Sequence, residues 1–210
     1  MVLESIKQAI KKTIPDDVLK LRRDLEARRA WEKQGRPSPP PHIIKEELIR
    51  DYAKSFNTQI LIETGTYLGD MVHAMKKSFS RIISFELDHN LAKQAQDRFA
   101  NDHHIQIIQG DSGKLLSDYL ANINEPCLFW LDGHYSGGIT AKGSLETPIK
   151  HELTAILSHP VDGHVILIDD ARCFTGEHDY PTIDELKSFV AARKPNHKFS
   201  VEHDVIRIHK

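Results

Sequence analysis

The sequence predicts an α/β fold: a seven-stranded, mostly parallel sheet with helices on both faces and a C-terminal antiparallel strand pair. Three observations carry that expectation. From residue 59 onward, short apolar runs alternate with helical stretches. The runs are continuously apolar, as in parallel strands buried on both faces, instead of alternating with polar residues. The last fourteen residues read as two strand segments meeting near His203-Asp204, with no room for a helix between them.

Before residue 59 no segment reads as a strand. Val2, Leu3, Ile6 and Ile10 recur at helical spacing, and a second helical stretch runs from about Pro15 to Lys33. The PSPPP run at 37–41 breaks it, because each proline lacks an amide donor and disfavours helix in the residue before it. A third helix follows, from about Ile43 to Ser55. Residues 1–58 are therefore expected to form a helical arm and cap, and 59–210 the main domain. Residues 1–50 hold 12 Lys/Arg against 8 Asp/Glu, a balance that a solvated helix face accounts for.

The strands are expected at 59–64, 81–86, 104–110, 127–132 and 164–170. Helices follow the second and third, the latter through Leu115, Leu116 and Tyr119. Thr147-Pro148 suits a helix start, with Thr as N-cap and Pro in the first turn. Thr182 and Glu185 make a T-x-x-E capping box for the last helix.

Composition excludes several classes. The chain has 210 residues, 40% hydrophobic and 28% charged, enough for one sizeable globular domain. A net charge of −2 argues against binding nucleic acid through its phosphates. No apolar run approaches the ~20 residues of a membrane span, and the N-terminus lacks the basic-then-apolar order of a signal peptide. The two cysteines, Cys127 and Cys173, are too few and too far apart for a disulfide scaffold or a cysteine zinc site. A cytoplasmic setting is the expectation.

In open α/β sheets the ligand lies at the carboxyl ends of the strands, where strand order reverses. The first strand ends in Glu63-Thr64-Gly65-Thr66-Tyr67-Leu68-Gly69, whose glycines allow close backbone approach to a ligand. The second ends in Glu86, an acid able to accept two ribose hydroxyls. The third ends in Gly110-Asp111-Ser112, placed for polar contact with a base. Each residue also has a plainer reading, as a turn glycine or a helix cap, but three strand ends in order favour a nucleoside-shaped site. The loop lacks G-x-G-x-x-G, and an acid at Glu63 would repel a pyrophosphate while welcoming an ammonium group. That favours S-adenosylmethionine (SAM) over NAD.

These motifs resemble the class I SAM-dependent methyltransferases, and within them the metal-dependent O-methyltransferases of the catechol and macrocin types. ETGTYLG is similar to the family's first motif, with Tyr67 at the central glycine. FELD places Glu86 at the ribose, QGDS places Asp111 and Ser112 at the adenine, and FWLDGHYSGG and VILIDDARCF match the fourth and fifth strand ends. The resemblance covers 59–210 and implies a Rossmann-like fold. It implies that Glu63, Gly65, Thr66, Tyr67, Gly69, Glu86, Leu87, Asp111, Ser112 and Asp132 contact the cofactor.

Asp132, Asp169 and Asp170 end two strands expected to be neighbours. Three uncompensated carboxylates would repel one another, and hard divalent cations such as Mg²⁺ take oxygen ligands. A divalent cation held by Asp132, Asp169 and Asp170 is the expectation, and the resemblance places a metal there. The plainer reading leaves Asp132 to the cofactor and the Asp169-Asp170 pair to a turn. His134, two residues beyond Asp132, is the candidate general base beside it, since an imidazole can accept a hydroxyl proton near neutral pH. The glycine-rich, polar segment 133–147 suits a functional loop. Lys142 and Arg172 read as solvated loop cations, and Trp130 as core.

The expected function is methyl transfer from SAM to the hydroxyl of a small molecule or sugar, assisted by a divalent cation. The alternatives are a non-catalytic SAM-binding or assembly protein whose helical arm does the work, and an NAD-dependent oxidoreductase. The N-terminal helices are a candidate surface for a homo-oligomer.

Overall fold

The structure, a computed structural model, describes residues 16–133 and 147–210. Its helices are α1 (Asp16–Lys33), α2 (His42–Phe56), α3 (Asp70–Met75), α4 (His89–Arg98), α5 (Ser112–Leu120), α6 (Ile149–Ser158) and α7 (Ile183–Arg193). Its strands are β1 (Ile60–Thr64), β2 (Arg81–Glu86), β3 (Ile105–Gln109), β4 (Cys127–Leu131), β5 (Val165–Ile168), β6 (Lys198–Glu202) and β7 (Val205–His209).

The strands form one seven-stranded sheet in the order β3-β2-β1-β4-β5-β7-β6. β1 through β5 are parallel, and β7 runs antiparallel between β5 and β6. The chain moves outward from β1 to β3, then crosses back to β4 on β1's other side. The reversal therefore lies between β1 and β4, and their carboxyl ends frame the crevice where such sheets take ligands.

Alternate residues of each strand point to opposite faces. One face carries Ile60, Ile62, Ile83, Phe85, Phe129 and Leu131, covered by Leu116 and Leu120 of α5, Leu153 and Ile156 of α6, and Leu186 and Val190 of α7. The other carries Leu61, Ile82, Leu128, Trp130 and Leu167, covered by Ile49 and Ala53 of α2, the α3 residues Met71, Val72 and Met75, and Ala95 of α4. Trp130 is a core residue, as expected. α2 is thus a layer of the sheet's own sandwich, and this rigidly places the side chains on its outer turns.

α1 is tied to α2 by a buried carboxylate. Glu46 accepts from Lys20 at 2.9 Å and Arg50 at 2.8 Å, and bonds the His42 ring at 3.0 Å. Burial works against the Glu46 charge, yet these partners hold its pKa down at about 2. Asp88 caps α4 through the amides of Asn90 and Leu91, and Asp111 caps α5 through Gly113. The Thr182–Glu185 capping box of α7 is present on both sides. At α6 the backbone cap is Pro148, while the Thr147 hydroxyl accepts from the Ile149 amide at 3.3 Å. Among the described residues no helix is long and apolar enough to cross a membrane.

Candidate functional site

The loop after β1 closes against the end of β4. Gly65 has φ +87°, and a Cβ there would stand 2.4 Å from the Asp132 carbonyl oxygen. Only glycine permits both that dihedral and that approach. The Asp132 amide donates to the Thr64 carbonyl at 3.0 Å, so the two strand ends stay paired beyond the ladder. Gly69 begins α3 at φ +77°, where a Cβ would meet the Phe99 ring.

Register brings Glu63 beside Ser84 on β2. The Ser84 hydroxyl donates to Glu63 Oε2. Ser84 has a single O–H, so the 2.6 Å contact with Thr66 Oγ1 is donated by Thr66. Glu63 is buried, and burial, helped by the charges of Asp132 and Glu86, pushes its pKa up to about 8 against the Ser84 bond. A pKa of about 8 keeps the carboxyl largely protonated at neutral pH.

Glu86 ends β2 with its carboxylate turned to the β1 loop. It accepts from the Tyr67 amide at 2.7 Å and from the Asp88 amide at 2.9 Å. Burial raises its pKa, and these amides oppose the rise. Thr66 is buried and Tyr67 is exposed, with φ 49° in the left-handed region. Leu87 is half-buried, and its carbonyl accepts from Gln109.

At the end of β3, Asp111 Oδ1 accepts from the Gly113 amide at 3.0 Å, and Oδ2 lies 3.1 Å from Lys114. The Ser112 hydroxyl is turned inward and donates to Glu152 Oε1 on α6 at 2.6 Å. Glu152 is itself buried. Burial lifts its pKa to about 7, and the Ser112 bond works the other way. Sequence reasoning missed Glu152: an acid forty positions from its partner, inside an apolar helix face, leaves no local signal.

At the other side of the crevice, Asp132, Asp169 and Asp170 converge as expected from β4 and β5. They do not stand alone. Lys45 of α2 donates its ammonium to Asp169 Oδ2, and lies 3.8 Å from Asp170 Oδ1. Burial works against the Lys45 charge, but Asp169, Asp132 and Asp170 more than offset it. Asp169 Oδ1 accepts from the Asp170 amide at 2.8 Å. Burial and Asp132 push Asp169 up to about 7. Arg172 donates to Asp170 Oδ1 at 2.7 Å and to Asp204 in the β6–β7 turn. Arg172 is exposed, as a loop cation is expected to be, but it is paired: Asp170 at the end of β5 and Asp204 in the hairpin turn are its two acids. Lys45 was missed, because a lysine on an amphipathic helix reads as solvated surface.

This donor set does not fit the divalent cation expected from sequence. Asp169 and Asp170 already spend oxygens on an ammonium and a guanidinium. Mg²⁺ demands close, octahedral oxygen ligands, and a divalent ion ~4 Å from Lys45 would be repelled by about 8 kcal/mol at an effective dielectric of 20. Among the described residues no group of three or more His, Cys, Asp or Glu stands in metal-holding geometry.

Beside Lys45 lies a cavity of about 220 Å³ between α1, α2 and β7, lined by Trp31, Ile44, Lys45, Leu48, Val205 and Arg207 among others. His134, Lys142 and nearly all of the 133–147 loop lie outside the described residues.

Solved structures share this architecture. The O-methyltransferase TomG from Streptomyces achromogenes, in complex with SAM, is 16% identical, with a TM-score of 0.59 over 88% of this chain and 87% of that one. An O-methyltransferase from Bacillus cereus, in complex with S-adenosylhomocysteine (SAH), is 14% identical, with a TM-score of 0.59 over 98% of this chain and 97% of that one. The SAH-bound Podospora anserina methyltransferase PaMTH1 is 15% identical, with a TM-score of 0.59 over 99% of this chain and 94% of that one. No protein-family model and no curated protein sequence matches the chain. At such identities the likeness establishes the fold alone: an α/β, Rossmann-like fold that these solved methyltransferases share.

Proposed function

We propose that this protein is a SAM-dependent O-methyltransferase acting on a hydroxyl of a small molecule or sugar. The observation that carries the reading is the row of acids at the carboxyl ends of β1 and β2, Glu63 and Glu86, beside a glycine loop that fits no pyrophosphate. Glu63 is a buried acid suited to an ammonium group, and Glu86 sits where a ribose would meet the β1 loop. Gly65, Thr66, Tyr67 and Gly69 form the loop over the methionine end. Leu87, Asp111 and Ser112 border the adenine end, with Asp111 and Ser112 held by the α5 cap and by Glu152.

The reaction is an in-line displacement: the acceptor oxygen attacks the sulfonium methyl, the C–S bond breaks, and SAH leaves. The protein aligns the two reactants and removes the hydroxyl proton. Asp132 borders both cofactor and acceptor, and His134, two positions further along the sequence, is the candidate base. Metal-assisted deprotonation, expected from sequence, has no part in this reading, because Lys45 and Arg172 already engage Asp169 and Asp170. The test is turnover: wild type with SAM and a panel of catechols, phenols and sugars, read as SAH formation. SAH formed with an acceptor supports the reading. Tight SAH binding with no turnover across the panel favours the non-catalytic alternative.

A further inference from the structure

We propose that Lys45 is the resident cation of the acidic edge, standing in the role a divalent ion would fill beside Asp132, Asp169 and Asp170. The inference deepens the methyl-transfer reading and rests on it for the acceptor's chemistry.

The geometry supports it from three directions. The ammonium contacts Asp169 and faces Asp170 from 3.8 Å, so one cation answers two members of the trio. Lys45 is largely buried, with 15% of its side chain exposed. It is not free to swing away, because α2 is anchored on the sheet by Ile49 and Ala53, and to α1 by Glu46. Lys45 also lines the 220 Å³ cavity, so the residue that holds the acids borders a recess between α1, α2 and β7. An ammonium offers three donors in no fixed coordination geometry. It can hold Asp169 and present a second N–H to an acceptor oxygen, stabilising the oxyanion as its proton leaves. The segment before β1 thus completes the site: it supplies the charge that the strand ends lack.

The test uses Mn²⁺ as the probe, with the free ion followed by electron paramagnetic resonance in metal-free buffer on the full chain. Wild type is expected to leave the free signal unchanged up to ~1 mM Mn²⁺. Lys45→Met, which keeps the length and removes the charge, is expected to bind Mn²⁺ roughly tenfold or more tightly than wild type. Adding Asp169→Asn to Lys45→Met should abolish that gain. Wild type binding Mn²⁺ at micromolar concentration, with Asp169→Asn abolishing it, would overturn the proposal and needs no Lys45 variant. So would a folded Lys45→Met, judged by its melting temperature, that binds Mn²⁺ no better than wild type. SAH affinity in EDTA, measured on the same samples, reports the cofactor reading separately. Absent SAH binding alongside the expected Mn²⁺ behaviour would fail that reading and leave the cation assignment standing.

Discussion

Lys45 and Asp169 lie 124 positions apart, and the ammonium of one is bonded to the carboxylate of the other at the carboxyl edge of the sheet. That bond joins the helical segment before β1 to the strand end of β5. It turns a cluster of acids into a paired site, and it sets the electrostatics the reaction would meet.

Glu63 couples stability to pH and to ligand. Its folded pKa, about 8, lies above that of an unfolded glutamate. A raised carboxyl contributes stability that is full below its unfolded pKa and is lost as pH rises through the folded one. In ligand-free protein at pH 9, Glu63→Gln should therefore be more stable than wild type by about 2–4 kcal/mol, with the gap closing towards pH 5. The same variant should weaken SAH binding, since an ammonium loses its charged partner, at a cost of about 1.5–3 kcal/mol. Wild type should release a proton on binding SAH at pH 7. Calorimetry in buffers of different ionisation enthalpy reads that release, and equal heats would contradict it.

Gly65→Ala places a methyl group 2.4 Å from the Asp132 carbonyl at a φ that alanine resists. The β1 loop must leave β4, at about 1–3 kcal/mol for the dihedral alone. Melting temperature should fall and SAH affinity should drop at least as much as for any single polar contact. A fully stable variant with unchanged affinity would show that the loop is not held as described.

A second pH effect belongs to the core. The Cys127 amide donates to His164 Nδ1 at 3.0 Å, so the His164 proton is on Nε2 and donates to His159 Nδ1 at 2.9 Å. His159 Nε2 then donates to the Leu120 carbonyl at 2.9 Å. This neutral relay has no place for another proton. Burial, helped by His159 and Lys194, lowers the His164 pKa to about 4. The unfolded chain binds the proton first, so stability is full above pH ~6.5 and falls as pH drops towards 4, by about 2–4 kcal/mol. His164→Gln should be less stable than wild type at pH 7, and the difference should shrink across that window in urea titrations. A constant difference from pH 7 to pH 4 would clear His164 of the effect.

Much of this molecule was legible in its sequence, because the strand ends carry their own signals. Continuous apolar runs marked β1, β2, β4 and β5, and Glu63, Glu86 and Asp132 followed as the residues just where each run stops. The Thr182–Glu185 box is local chemistry and reads directly. What escaped is long-range. Lys45, Arg172 and Glu152 take their meaning from partners brought together by the sheet, and their local sequence shows only a lysine on a helix, an arginine on a loop and an acid in an amphipathic turn. His104 is a smaller case: it is half-buried and bonds the Lys76 carbonyl at 2.8 Å, a partner 28 positions away that its local sequence does not show. The aspartate trio was read correctly as acids converging on one edge, but the cations that answer them come from α2 and from the turn after β5.

If His134 is the base, His134→Ala should lower kcat by ~10²–10⁴-fold while leaving SAH affinity nearly intact, and the acidic limb of the wild-type pH–rate profile should vanish with it. Equal kcat and a shared acidic limb in both proteins would make His134 a bystander and leave deprotonation to other groups at the acidic edge.

The central claim is that the carboxyl ends of β1 and β2 bind SAM, and the most direct measurement is calorimetric titration of SAH into wild type, Glu86→Ala and an NAD control. Wild type should bind one SAH, and Glu86→Ala should bind it more weakly by about 1.5–3 kcal/mol, because a charged acceptor of ribose hydroxyls is gone. NAD should give no heat of binding. Unchanged SAH affinity in a folded Glu86→Ala, or binding of NAD in place of SAH, would contradict the account.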